Sequence, residues 1–458
     1  MRITRIFAMT FLATAGMTGC EVRKDPPHLT QTSALTRALL AWTAKGGDLD
    51  KALPSHGDEN VKTEEEADAV CAALRAFRAR AQTSVKPPLT SPLHTLTALF
   101  QQVEDERAFA RLKQAGLPQL RLCVEDALHG KGGREEDILF ILKILAMYQE
   151  EQDVDLIVRA ARLPWKPDGF MWSVVLGQFD EDHPHAERLI SALRDPLPSG
   201  FLLVSYLDMA NALAIAGRLK AHPFDSAPGT QQLDRWLRDE NPDHFSYAHS
   251  ATASLPFIRP EQRRTLLAIA CAHPDVSVRL EAAWAQVKGG DPAGLDALIA
   301  SAADPRYSEV AQAYLKELGK ADRIPTLVGA PDFQALTEMS SWLAHPHEYG
   351  RPPRSIEVFD SRVLFWPPTN DTRRLWLLKY SYQDSDADSP DIGLGLVGSV
   401  TFALFGEATG TLKPAEAYGL HCCWELEANH DPRAPKKRSA AAGIKILREH
   451  GNTEGALR

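Results

Sequence analysis

The feature that most constrains this chain is a spacing. From residue 131 onward apolar residues recur at i, i+3, i+4 and i+7 in one short segment after another. Ile138, Ile141, Leu142 and Leu145 form one such set, and Val154, Ile157, Val158 and Ala161 the next. Trp172, Val175, Leu176 and Phe179 follow, then Ala186, Leu189, Ile190 and Leu193. Each set is the buried stripe of a helix with one apolar face. Turn signals stand between them: Asp153, residues 164–169, His183 with Pro184, and residues 195–200. A short helix of this kind cannot hide its stripe alone. A long succession of them predicts helix pairs stacked so that neighbours share one continuous core.

The pattern is cleanest between Pro274 and Leu318. Asp275, Asp291 and Asp304 each precede a helical stripe, in the place of a capping residue, and the first and last lie about thirty residues apart. Leu295, Leu298, Ile299 and Ala302 make one stripe here, and Ala311, Tyr314, Leu315 and Leu318 another. The run Asp275, Val278, Arg279, Ala282, Ala283, Gly290, Asp291, Ala297 and Leu298 resembles the short, PBS-lyase-like HEAT-type repeat. That resemblance covers about a tenth of the chain. It implies stacked helices and partner binding; some proteins with such repeats are bilin lyases, but the repeat itself implies no reaction.

The chain has 458 residues, room for two or three domains, and an ordinary share of apolar and charged residues for a globular protein. Its formal net charge of -9 argues against nucleic-acid binding, which needs a basic stripe. The short run Lys436, Lys437 and Arg438 reads as a solvated linker. At the N-terminus, Arg2 and Arg5 precede an apolar run from Ile6 to Met17 that is too short to span a bilayer stably. It ends in Met17, Thr18, Gly19 and Cys20, which resembles a bacterial lipoprotein box, although Met17 stands where leucine is usual. The resemblance implies removal of residues 1–19 and lipid attachment at Cys20. An ordinary secretory signal or a cytosolic N-terminus are the alternatives. Export would permit disulfides, and Cys71, Cys123, Cys271, Cys422 and Cys423 remain, most on apolar helical faces that suit buried thiols. A Cys71–Cys123 bridge is the pairing that stays open.

The expected fold is therefore mostly α: a HEAT-like α-solenoid followed by a small α+β domain with an antiparallel sheet. After the signal come a tether over residues 20–28, an irregular helical cap over 29–130, the solenoid over 131–325 and a linker over 326–353. Within the cap, Thr63 and Glu66 have the spacing of a capping box. Over 354–458, β-branched and aromatic runs at residues 355–359, 362–366, 374–382 and 399–405 read as strands, and residues from Pro414 onward as helix.

No motif carries chemistry well. Gly393, Gly395 and Gly398 spell a formal G-x-G-x-x-G but lead into a strand rather than a helix, so they read as a glycine-rich strand or turn in close backbone contact. Asp384, Asp386 and Asp388 alternate as in a calcium loop but lack its glycine and closing glutamate. The pairs His183 with His185 and His345 with His347 bracket prolines, and no cluster has the spacing of a zinc module. No cofactor, metal, nucleotide or nucleic acid is expected, and no catalytic residue is assigned. The reading is a lipid-anchored scaffold of the bacterial cell envelope, extracytoplasmic at the outer membrane or facing the periplasm. A protein partner would be held by turn or helix aromatics, foremost Trp165, Trp236 and Tyr247. The alternative is an enzyme or ligand-binding protein with its site in the C-terminal domain or the inter-domain groove, with His421, Cys422 and Glu425 as candidates.

Overall fold

The computed structural model describes residues 32–53, 60–81, 92–130, 135–164, 170–382, 391–404 and 409–457. The expected signal peptide, tether and Cys20 lie outside the described residues, as do Trp165 and the Asp384–Asp388 loop. Among the described residues the chain is mostly helical with one small antiparallel sheet near its C-terminal end, and no helix is long and apolar enough to cross a membrane. It divides into two compact units, residues 1–269 and 270–458, so the stretch read as one solenoid over 131–325 is shared between them.

In the first unit, the helices Ala34–Lys45 and Glu64–Ala81 pack together near the start. The second of these opens on the capping box expected from Thr63 and Glu66. Glu66 N–H donates to Thr63 Oγ1 at 3.2 Å, and the amides of Lys62 and Thr63 donate to the Glu66 carboxylate at 2.6 and 3.1 Å. Beyond it the helices fall into two rows. Pro92–Ala98, Glu135–Met147, Phe170–Leu176, Phe201–Ile215 and Phe245–Ser254 each touch the next in one row. Leu117–Leu128, Glu151–Ala161 and Ala186–Leu193 do so in the other. Between the rows lie the residues of the predicted stripes: Ile138, Ile141, Leu142, Leu145, Val154, Ile157, Trp172, Val175, Leu189 and Ile190 are all buried. Tyr206 also ties the rows together, its hydroxyl donating to the Ile190 carbonyl at 2.9 Å.

The second unit contains the stretch with the cleanest repeat. Asp275 caps the helix Val276–Lys288 as expected, accepting from the amides of Ser277 and Val278 at 2.8 and 3.1 Å. Asp291 and Asp304 act one step earlier than expected. Each accepts the amide two residues on, from Ala293 and Arg306, and closes a turn before the helices Gly294–Ala302 and Ser308–Glu317. Gly294 permits the first crossing: a Cβ there would sit 2.1 Å from the Ala283 carbonyl oxygen.

Residues 326–353, expected as a linker, instead hold a 14-residue helix, Pro331–Ala344. It is amphipathic, and Ala335, Met339 and Leu343 cover one face of the sheet through Leu378, Tyr380, Val397 and Ala403. The sheet runs β1 (Ser355–Trp366), β2 (Asp371–Tyr382), β3 (Asp391–Val397) and β4 (Phe402–Leu404) in sequence order, every neighbour antiparallel. Two runs expected as separate strands are the single strand β1, bent by an irregularity between Val358 and Asp360. The glycines of the formal dinucleotide motif lie in and just after β3. Gly393 leaves room for the Tyr380 ring and Gly395 for Met339, while Gly398, at φ +103°, passes the Arg374 carbonyl. The opposite face carries Leu364, Trp366, Leu375, Leu377, Leu394 and Leu396 against the helices Pro414–Ala428 and Ala440–Glu449.

Candidate functional site

Trp172 of the predicted stripe is fully buried, as is Trp284, and both serve the core. Trp236 is 8% exposed, on the helix Ala227–Leu237, and its ring sits 6.1 Å from Phe224 and 6.2 Å from Tyr247. Phe224 continues the row inward to Tyr206 at 6.1 Å. Only the far end of this aromatic row reaches solvent. There the half-buried Tyr247 stacks on His244, centroids 5.3 Å apart and planes 8° off parallel. His244 Nδ1 lies 2.8 Å from Asp239 Oδ2. The Asn241 amide and then His244 hold the Asp239 carboxyl below its usual range. A partly exposed aromatic stack, backed by a buried Trp and steered by a carboxylate, suits a binding anchor. His244 was missed in the sequence, although its place three residues before Tyr247 on a helical turn was the available signal.

A second arrangement runs along the row Leu117–Leu128, Glu151–Ala161 and Ala186–Leu193. Arg159 donates to Glu125 at 2.6 and 2.8 Å, and Arg121 to Asp153 at 2.5 and 2.9 Å. Arg188 donates to Glu151 and Asp155, and Arg218 to Glu187. These partners lie 34, 32, 37, 33 and 31 residues apart, so ties of nearly constant separation join the helices of this row, and the last, from Arg218, comes from the turn after the helix Phe201–Ile215 of the other row. The ties are unequal. The side chain of Asp153 is 2% exposed whereas that of Glu151 is 69% exposed. Burial pushes the Asp153 carboxyl up, and Arg121 opposes it.

The candidates of the alternative reading sit on one helix, Pro414–Ala428, and all face inward. Glu425 is buried and accepts from Trp366 Nε1 at 2.8 Å and from the Ser399 hydroxyl at 2.8 and 2.9 Å, joining helix to sheet. Cys422 lies in the apolar cluster under β1 to β3, and burial raises its thiol pKa, the opposite of what a nucleophile needs. His421 is 2% exposed, edge-on to Phe402 at 5.5 Å, and burial lowers its pKa to about 3 despite a favourable contribution from the Leu394 backbone. His421 and Glu425, one helical turn apart, do not pair: Glu425 is taken by Trp366 and Ser399, and among the described residues neither ring nitrogen of His421 has a hydrogen-bond partner. All five described cysteines are free thiols, Cys71 and Cys123 among them. Among the described residues no group of His, Cys, Asp and Glu is placed to hold a metal ion.

No protein-family model matches this chain, and neither curated proteins nor solved structures give a match.

Proposed function

We propose that this chain is a protein-binding scaffold of the bacterial cell envelope, held extracytoplasmically by lipid on Cys20 and offering its stacked helices to a protein partner. The observation that carries the reading is the recurring tie between successive helices of one row, from Glu125 and Arg159 to Glu151, Asp155 and Arg188. Helices related by a repeated step build an extended surface whose length grows with each unit, the form that suits recognition of another protein. The anchor we assign on that surface is Tyr247 with His244, since Trp236 is spent in the core behind it. The tether rests on the sequence alone, on the apolar run Ile6–Met17 ending at Cys20.

Crosslinking in whole cells, read by mass spectrometry, tests the scaffold. The expected result is one protein captured in stoichiometric yield by the wild type and lost with Tyr247→Ala, with the helical circular dichroism unchanged. Undiminished capture by Tyr247→Ala would remove the anchor, and no stoichiometric partner at all would remove the scaffold. Cell fractionation tests the tether separately: Cys20→Ala is expected to leave the membrane fraction, and its retention there would refute lipid attachment.

A further inference from the structure

Every His-Pro dipeptide in the sequence makes the same turn. His183–Pro184, His222–Pro223, His273–Pro274 and His345–Pro346 are the four. In each the histidine Nδ1 accepts the backbone N–H of the residue after the proline: His185 at 3.1 Å, Phe224 at 3.3 Å, Asp275 at 3.1 Å and His347 at 3.3 Å. Proline has no N–H, so the following amide is the first donor available to the ring. The bond mirrors the turns that Asp180, Asp275, Asp304 and Asp431 make in this chain, where a carboxylate oxygen accepts the amide two residues on.

An acceptor Nδ1 carries no proton, so the neutral ring holds its hydrogen on Nε2. In His183 that hydrogen points to the Ala146 carbonyl, 3.1 Å away on the neighbouring helix of the same row system. In His222 it is donated to Asn211 Oδ1 at 3.1 Å, and Asn211 Nδ2 donates in turn to the Ser250 carbonyl at 2.9 Å. The turn at His183 is thereby fastened directly to another helix, and that at His222 to the helix it follows and, through Asn211, to the helix Phe245–Ser254. His183, His222 and His273 are 1%, 2% and 3% exposed, whereas His345 is exposed.

We propose that the three buried His-Pro turns are acid-released latches: protonating Nδ1 sets one donor against another, frees the turn and loosens the helix junction it closes. The charged groups acting on each ring do not rescue the cation. His183 faces Asp180, countered by His185 and Arg218; His222 faces Asp225; His273 faces Asp275, countered by Arg279. Burial is the largest influence on all three and disfavours the charged form, taking His222 to about 3. A folded pKa below the unfolded value means stability that is complete above the unfolded pKa and is lost as pH falls from there toward the folded one. With an unfolded value near 6.5, His222 alone raises the unfolded-to-folded ratio about 30-fold between pH 7.5 and 5.

The test measures urea midpoints of the full chain from pH 7.5 to 5, together with nitrogen-15 NMR of labelled histidine. The variants are His183→Asn, His222→Asn and His273→Asn, combined, since Asn Oδ1 can accept the same amide and does not titrate. The wild type is expected to lose stability across the window by more than that 30-fold factor, and the combined variant to lose at least 30-fold less than the wild type, whatever its stability at pH 7.5, the buried His421 leaving the same residual slope in both. His345→Asn is expected to leave the slope unchanged. In the wild type at pH 7.5 three buried histidines should show an unprotonated Nδ1. A Nδ1-protonated tautomer at those histidines would overturn the proposal, as would a combined variant that keeps the wild-type slope. The NMR result stands even where the combined variant does not fold.

Discussion

Gly443→Ala sets helix propensity against packing, and the structure says which wins. Gly443 lies inside the helix Ala440–Glu449, where replacing glycine by alanine favours the helix by about 1 kcal/mol. A Cβ at this position, however, would stand 1.9 Å from the Gly419 carbonyl oxygen and 2.4 Å from its Cα, on the helix Pro414–Ala428. Contacts under 3.0 Å are not tolerated, and the obstacle is backbone, so no rotamer change relieves it. The two helices must separate by about 1 Å, which forfeits a quarter to a half of each dispersion contact across the crossing. Tyr418, Cys422, Ile446 and Leu447 all lie in the cluster that would open. Overpacking of a well-filled core costs about 1–3 kcal/mol, and a backbone clash belongs at the upper end or beyond. The expected net loss is thus about 2 kcal/mol after the helix gain. Urea unfolding followed by tryptophan fluorescence measures it, since Trp366 lies in this core. Gly455→Ala is the control, because its Cβ would meet nothing nearer than Thr453 Oγ1 at 3.9 Å. A stabilised Gly443→Ala protein would refute the close crossing.

Arg121→Ala should cost about 3–5 kcal/mol by thermal or urea unfolding, since it strands the buried Asp153 carboxylate. Arg188→Ala, whose partners are exposed, should cost under about 1 kcal/mol and only at low salt; equal losses would mean the ties are equivalent. Leu298→Ala should lose about 2–5 kcal/mol by calorimetry, because Leu298 is fully buried, and Asp275→Gly only a few tenths. Trp366→Phe removes the indole donor to Glu425 and should destabilise the protein by about 1–3 kcal/mol, read by urea unfolding followed through far-ultraviolet circular dichroism.

The helical part of the fold was written in the spacing of apolar residues, because a helix exposes its period to any reader of i, i+3, i+4 and i+7. The stripe from Ile138 to Leu193 and the cap at Asp275 are local patterns of this kind, as is the box at Thr63 and Glu66. The glycines at 393, 395 and 398 were legible as close-approach positions because no helix could follow them. Residues 331–344 were not read as a helix, since proline and histidine just beyond them masked a 14-residue stripe. Whether these glycines formed a strand or a turn stayed open, because glycine is a weak strand former, and only the sheet's need to admit Tyr380 and Met339 decides for strand β3. What tertiary structure alone decided is pairing at a distance. No local pattern says that Arg121 meets Asp153, that Glu425 is taken by Trp366 and Ser399 and not by His421, or that Gly419 faces Gly443. Those partners are 32, 59, 26 and 24 residues apart, and such contacts depend on how the stacked elements are seated. The sequence by itself determined which faces are apolar. Which face meets which was settled by close packing, through the volume each side chain has to fill and the backbone approach that each glycine allows.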